Sequence, residues 1–292
     1  MLVHITTAAL MAMSYRILDT QIHRLHVSFI LNISALIVMM PWILLKFKKI
    51  FKTEFWYIHL ARAACTVIGQ LILIYVYNNM NFAQVSAITL TYPLLCTLGA
   101  AIFLQEKIGL YRVIALVIGF IGALIIVNPN YNDFSFYSVY AFVAMFFWVG
   151  FDLLTKRHGI SEPMVTQVLY TILFMFLLSV FPAALTKAPK LSFELFKIMP
   201  LLGILMFFYI LSGIATIIES EGVSLVLPLY FLVLIISSSI GYFVFKETIA
   251  RSTLIGSLII FSSASYVAYK EYRTKKLEKM QRQADLFIDI NQ

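Results

Sequence analysis

Six residues of this sequence have the chemistry to hold a small polar solute inside apolar surroundings: Gln70, Thr89, Tyr92, Pro93, Trp148 and Tyr230. Thr89 and Tyr92 both precede a proline, which has no N–H, so the carbonyl four residues before Pro93 loses its usual helical donor. That freed carbonyl, with the hydroxyls of Ser86, Thr89 and Thr91, makes a polar spot in an otherwise apolar run, suited to a solute path rather than to lipid. Pro228-Leu229-Tyr230 repeats the theme later in the chain. The rings of Trp148, Tyr92 and Tyr230 can stack on a planar or cationic group, and a cation over a ring is worth about 2 kcal/mol when desolvated.

A second set is charged and suited to gating: Arg62, Asp152, Lys156, Glu219 and Glu221. Asp152 and Lys156 stand four apart, share a helical face and can pair. Arg62 lies about six residues into an apolar run, where a lone guanidinium costs at least a few kcal/mol unless paired. It can hold a carboxylate or phosphate of the solute, act in a gate, or snorkel to the headgroups about 9 Å away. Asn32, Gln167, Tyr170, Ser212 and Thr216 are uncharged polar groups within apolar runs, where each can bond helix to helix for about 0.6 to 2 kcal/mol. Glu106 and Glu247 each close a long apolar arm, as interfacial hinges or as proton carriers.

The sequence has no HExxH, GxSxG, Walker A loop, CxxC pair or ligand-spaced histidine cluster, so an enzyme, a nucleotide-driven pump, a cofactor and a bound metal are not expected. Cys65 and Cys96 read as small packing residues.

The elements that must position these groups are membrane helices. With 61% hydrophobic and 12% charged residues and a mean hydropathy of +0.91, the chain has too little polar surface to cover a water-soluble globule. About ten apolar runs are long enough to cross roughly 30 Å of hydrocarbon: Leu2–Leu18, Val27–Leu45, Phe55–Tyr77, Phe82–Leu104, Leu110–Val127, Phe136–Leu154, Met164–Leu185, Phe196–Ile217, Val223–Phe245 and Thr253–Tyr269. The first, which begins at Met1, has a cleaved signal peptide as its alternative, without a basic n-region ahead of it. With the N-terminus in the cytoplasm, Lys and Arg fall twice as often in inner loops as in outer ones, which places both termini inside. The net charge of +8 then serves topology and lipid headgroups, and nucleic acid is not an expected partner. Ala115, Gly119 and Ala123, spaced by four, form a stripe that admits a neighbouring helix closely.

The chain also echoes itself. Shifted by 141 positions, Gln105-Glu106 falls on Lys246-Glu247 and Ile108 on Ile249. Two five-span halves follow, residues 1–135 and 136–269, and an odd number of spans inverts the second relative to the first. The remainder, 270–292, is basic with Leu277, Met280, Ala284 and Phe287 at helical spacing, either an amphipathic helix on the anionic inner leaflet or a solvated end.

The duplicated hairpin and the wording NFAQVSAITLTYPLLCTLGAAIFLQEKIGLYRVIALVIGFIGALIIV resemble the drug/metabolite transporter superfamily, in its EamA-type ten-helix branch. FWYIHLARAA, FDLLTKR and LVLIISSSIGYFVFKETIARSTLIGSLII are similar to segments of the S-adenosylmethionine uptake carriers of obligate intracellular bacteria. The resemblance implies an all-α secondary transporter of a bacterial inner membrane that moves a small organic metabolite by alternating access, with S-adenosylmethionine uptake the leading activity. Its partners would be the metabolite and membrane lipid, with a homodimer left open. An exporter of amino acids or amphiphilic drugs, or a non-transporting scaffold, are the alternatives. The chain departs from those carriers in having Tyr230 and Val233 where they place an Arg and a Glu, and Asn32 where they place an Arg.

Overall fold

In the computed structural model the described residues are 2–50, 53–105, 109–127, 136–158, 162–189, 193–219 and 227–290. They form eleven α-helices and no strand: α1 (Leu2–Asp19), α2 (Arg24–Ile50), α3 (Trp56–Tyr77), α4 (Phe82–Thr89), α5 (Tyr92–Phe103), α6 (Leu110–Val127), α7 (Phe136–His158), α8 (Met164–Ala184), α9 (Phe193–Glu219), α10 (Leu227–Phe243) and α11 (Arg251–Ile290). Among the described residues seven stretches are long and apolar enough to cross a membrane, and Val113–Ile126 and Leu232–Phe243 are shorter apolar helices.

Two features differ from the reading of the sequence. The arm Phe82–Leu104 is not one helix: α4 ends on short-range bonds, Leu90 N–H to Ala87 O and Thr91 N–H to Ile88 O, before α5 restarts with Pro93 in its first turn. Pro93 supplies no N–H to the turn before it, so the ladder cannot run through. The segment from 270 is not a separate helix either, because α11 continues unbroken to Ile290. Between Gly256 and Ile290 there is neither Gly nor Pro to stop it, and Glu271 and Glu278 each stand four residues before a Lys or Arg.

The packing is that of a protein in lipid. The α6 helix exposes Leu110, Val113, Ile114, Val117, Ile118, Phe120, Ile121 and Leu124, while Ser28, Asn32, Arg62, Gln70, Gln167 and Thr171 are all buried. In water such a surface would aggregate; in hydrocarbon it is the favoured arrangement. One apolar core draws on all of these helices, α6 entering it through Ala123 and Ile126 and α11 through Ile260, and a smaller α6–α11 cluster gathers around Ala115, Ala264 and Val267. The principal pairings are α6 with α11, α3 with α7, α3 with α8, α2 with α8, α2 with α9, α1 with α9, α1 with α10, α4 with α10 and α5 with α7.

The small-residue stripe does admit a neighbour. Ala115 and Ala123 are buried, and a Cβ on Gly119 would lie 3.2 Å from Ser263 Oγ of α11. The tightest approach of α6 to α11 is one helical turn on, where a Cβ on Gly122 would lie 2.8 Å from Gly256 O and one on Gly256 would collide with Gly122 O. Gly256→Val must therefore push α6 away from α11. Overpacking of this kind costs roughly 1 to 3 kcal/mol, and it should lower the melting temperature of the detergent-solubilised protein, whereas Leu258→Ala, at an exposed neighbour, should not. Equal melting curves for Gly256→Val and wild type would remove the crossing from this position.

Candidate functional site

The buried polar groups gather in two clusters on α3, linked by its own helical repeat. In the first, Ser28 and Asn32 stand one turn apart on α2 and face Gln70. Ser28 Oγ donates to Gln70 Oε1 at 2.7 Å, and Asn32 Nδ2 lies 3.4 Å from the same oxygen and 3.3 Å from Met175 O of α8. Among the described residues, Asn32 Oδ1, Gln70 Nε2 and Thr171 Oγ1 are buried with no hydrogen-bond partner. Turning either amide over exchanges its ends and still leaves one end open. An unsatisfied buried polar atom costs about 1 to 3 kcal/mol, so the cluster is arranged to accept something polar.

Next to Gln70, Gly69 is the residue over which Trp148 lies. A Cβ there would come within 2.9 Å of Trp148 Cδ1 and Nε1, so only glycine lets α7 bring the indole this close. The ring is 6.3 Å from that of Tyr209 on α9, and Tyr209 stacks on His4 of α1 at 4.9 Å with an interplanar angle of 14°. Trp148 Nε1 is buried without an acceptor among the described residues. Three helices thus build an aromatic wall beside the amide cluster.

The second cluster lies two turns earlier on α3. Arg62, 2% exposed, does not reach out to a headgroup; Nη1 donates to Gln167 Oε1 at 3.1 Å and lies 3.5 Å from His59 Nδ1. Its guanidinium carbon sits 4.9 Å from the centre of the Phe151 ring. His59 Nε2 is 2.7 Å from Glu162 Oε2, the imidazole stacks on Tyr170 at 5.2 Å, and Gln167 Nε2 donates to Glu162 O at 3.0 Å. The pattern is self-consistent for a neutral His59 with its proton on Nε2, donating to Glu162 and accepting from Arg62 at Nδ1.

The other expected residues divide. Asp152 Oδ2 accepts from Cys96 Sγ at 3.5 Å, and Lys156 is exposed at the end of α7. Among the described residues Asp152 forms no ion pair with Arg62. Thr89 Oγ1 donates to Ser86 O at 2.7 Å, so its hydroxyl is tied to its own helix, and Tyr92 is half-buried against the main core. Pro93 sits at the α4–α5 break. Ser212 and Thr216 also donate to carbonyls of their own helix, Tyr209 O and Ser212 O. The side chains of Tyr230 and Glu219, and the whole of Glu106 and Glu221, lie outside the described residues.

At the opposite end of α3, Glu247 ties three elements together. It forms an ion pair with Arg16 of α1 and accepts the backbone N–H of Phe82, the first residue of α4, at 2.7 Å. Arg16 also lies 4.5 Å over the Phe245 ring, which packs on Phe82 at 5.3 Å. A carboxylate here satisfies a donor that the helix start leaves open and favours the positive end of the helix dipole.

The sequence reading missed His59 with Glu162, Tyr209 with His4, and the cap on α4. His59 three residues before Arg62 on one helix was a legible signal; the other pairings join residues too far apart in sequence for spacing to reveal them.

Residues 1–128 match the EamA-like transporter family. The chain is 26% identical over 256 residues to an S-adenosylmethionine uptake transporter of Rickettsia bellii, covering 87% of each protein. It is 34% identical over 143 residues to a riboflavin transporter of Vibrio cholerae, covering 48% of each. A crystal structure with 13% identity superposes with a TM-score of 0.63, covering 93% of this chain and 97% of that one, which is a likeness of fold.

Proposed function

From a chain of EamA type, with named uptake transporters among its relatives, we propose a secondary carrier that moves a small organic metabolite across the bacterial inner membrane by alternating access. The observation that carries it is the set of buried, unpartnered polar atoms of Asn32, Gln70 and Trp148 inside a bundle whose outer face is apolar. Such atoms mark the inside of a membrane protein as a place for a solute. Gln70 and Trp148 are the core of the binding site, with Thr89, Tyr92, Pro93 and Tyr230 along the path. Arg62, Asp152, Lys156, Glu219 and Glu221 belong to the end near the cytoplasm, and both termini face that side.

Two inverted halves, 1–135 and 136–269, are the machinery of the motion. Support comes from the helix pairings. Exchanging α1 for α7, α2 for α8, α3 for α9, α4 with α5 for α10, and α6 for α11 turns α3–α7 into α1–α9, α2–α9 into α3–α8 and α5–α7 into α1–α10, and returns α2–α8, α4–α10 and α6–α11 to themselves. The left-handed residues Gln105 (φ 55°) and Lys246 (φ 57°) stand 141 positions apart, and the same offset lays Arg16 on Arg157 and Glu247 on Glu106. The halves would rock about the site, with the Arg16–Glu247 pair closing one end and the Arg62–His59–Glu162 cluster the other.

S-adenosylmethionine is the leading solute, on the named relatives that match along most of the chain. Riboflavin is the second, on relatives that match less of it at higher identity. In proteoliposomes of the purified protein, labelled S-adenosylmethionine should accumulate saturably, and excess unlabelled S-adenosylmethionine should reduce its uptake at least tenfold while riboflavin does not. Uptake no greater than in protein-free vesicles, for both labelled solutes, would remove the uptake reading.

A further inference from the structure

Arg62 has one edge in use and one edge open. Nη1 is engaged by Gln167 and faces His59, whereas Nε and Nη2 are both buried with no partner among the described residues. These two nitrogens point their hydrogens along the same side of the guanidinium plane, the side-on fork that matches the two oxygens of a carboxylate. Two open donors on one edge of a residue that is 2% exposed form a site with a defined shape.

The surrounding charges narrow what can fill it. Asp152 and Glu162 are near enough for their charges to act on the guanidinium, but neither is within ion-pair distance among the described residues, and Glu162 is engaged by His59. Their field and the Phe151 face make the empty cation tolerable. A solitary carboxylate entering here would be repelled by the charge of Glu162. One that brings its own ammonium, as an α-amino acid does, adds no net charge and leaves Asp152 a cation to face.

We propose that the Nε–Nη2 edge of Arg62 binds the carboxylate of an α-amino-acid end of the solute. Arg62 and Gly69 are seven residues apart on α3, about 10 Å along its axis, and Trp148 covers Gly69. The solute class is therefore an α-amino acid with a flat or cationic group about that distance from its carboxylate. The assignment rests on the carrier reading above for its setting, and it separates the two candidate solutes, since riboflavin has no carboxylate.

The test is equilibrium binding to the detergent-purified protein with two matched pairs, S-adenosylmethionine against its decarboxylated form and methionine against methionine amide. Wild type should bind the carboxylate member of at least one pair about tenfold or more tightly than its partner. Arg62→Gln should bring that ratio close to one, and Arg62→Lys, a point charge without the fork, should leave it intermediate. A ratio unchanged in Arg62→Gln overturns the assignment, as does a wild type that binds no carboxylate member better than its partner, the result for a fork filled by water alone. Should Arg62→Gln fail to fold, Arg62→Lys and the wild-type ratio carry the test. Transport and binding fail separately: riboflavin uptake without a carboxylate preference leaves a carrier and removes the fork, whereas carboxylate binding without uptake leaves the fork and removes the carrier.

Discussion

Glu247→Ala is expected to destabilise the protein by about 2 to 3 kcal/mol and to open the end of the bundle where α1, α4 and α10 meet. Two losses combine. Arg16, with a side chain 24% exposed, loses its counter-charge, and Phe82 N–H loses the acceptor that caps α4. Stranding one member of a fully buried pair costs roughly 3 to 5 kcal/mol, and this pair, being partly exposed, falls below that range; an N-terminal cap contributes about 1 kcal/mol. Glu247→Gln separates the terms, because its amide oxygen can still accept from Phe82 while the charge is gone, so it should be milder than alanine by about the cap. Arg16→Gln removes the pair together with the contact of the guanidinium on the Phe245 ring and should cost somewhat more than Glu247→Gln. Melting curves of the three purified variants give the ranking, and equal losses for Glu247→Ala and Glu247→Gln would show that the cap contributes nothing.

In the proposed alternating-access carrier, the same substitution bears on transport. With Arg16 and Glu247 latched, α1 and the start of α4 are held against the turn between α10 and α11. Releasing them favours whichever conformation is open at this end, and the shift equals the differential stability that the latch gave the closed one. Tyr15, 3% exposed beside Arg16, is a suitable reporter position. A cysteine placed there, with Cys65 and Cys96 replaced, should react with a membrane-impermeant maleimide several-fold faster in the Glu247→Ala background. Equal rates in both backgrounds would mean that the pair is structural and gates nothing.

How much of this was legible beforehand depends on the range over which each feature is encoded. The helical, membrane-embedded character follows from run length and charge content, both local properties, and it emerged from the sequence. Seven of the expected runs correspond to stretches long and apolar enough to cross a membrane, whereas Leu110–Val127 and Val223–Phe245 correspond to shorter apolar helices among the described residues. The interruption at Pro93 was half-legible. A proline beside hydroxyls announced a lost backbone bond, but whether a helix kinks or restarts there depends on its neighbours, and here the chain turns through Leu90 and Thr91. Arg62 shows the limit more sharply. Its depth in the span and its cost in hydrocarbon were readable, yet the choice between reaching a headgroup and turning inward is made by Gln167, which lies 105 residues away. Glu247 is a similar case: a polar hinge in sequence, it becomes a cap and an ion-pair partner because the fold brings Phe82 and Arg16 to it. The internal repeat is the one long-range relation that the sequence states directly, and it is the source of the inverted-halves proposal.

Trp148 offers the second large effect, and its open nitrogen makes the comparison unusually clean. Nε1 is buried without an acceptor among the described residues, so Trp148→Phe removes no hydrogen bond visible in the folded protein while keeping an aromatic ring against Gly69 and Tyr209. Any large loss of solute affinity in Trp148→Phe therefore reports a bond that exists only when the solute is bound. A neutral hydrogen bond is worth about 0.5 to 1.5 kcal/mol, so an up to roughly tenfold rise in Kd is expected with little change in melting temperature. Trp148→Ala is different in kind: it leaves a void beside Gly69 and should cost about 3 to 5 kcal/mol of stability, along with whatever stacking the solute makes with the ring. Measuring both quantities for both variants distinguishes a binding residue from a packing one. If Trp148→Phe binds S-adenosylmethionine as wild type does and Trp148→Ala fails in proportion to its lost stability, the indole packs helices and the solute lies elsewhere. If phenylalanine loses affinity alone and alanine loses affinity and stability together, the indole N–H belongs to the site, and the buried atoms left open beside it on Gln70 and Asn32 become the next positions to examine by the same pairing of measurements.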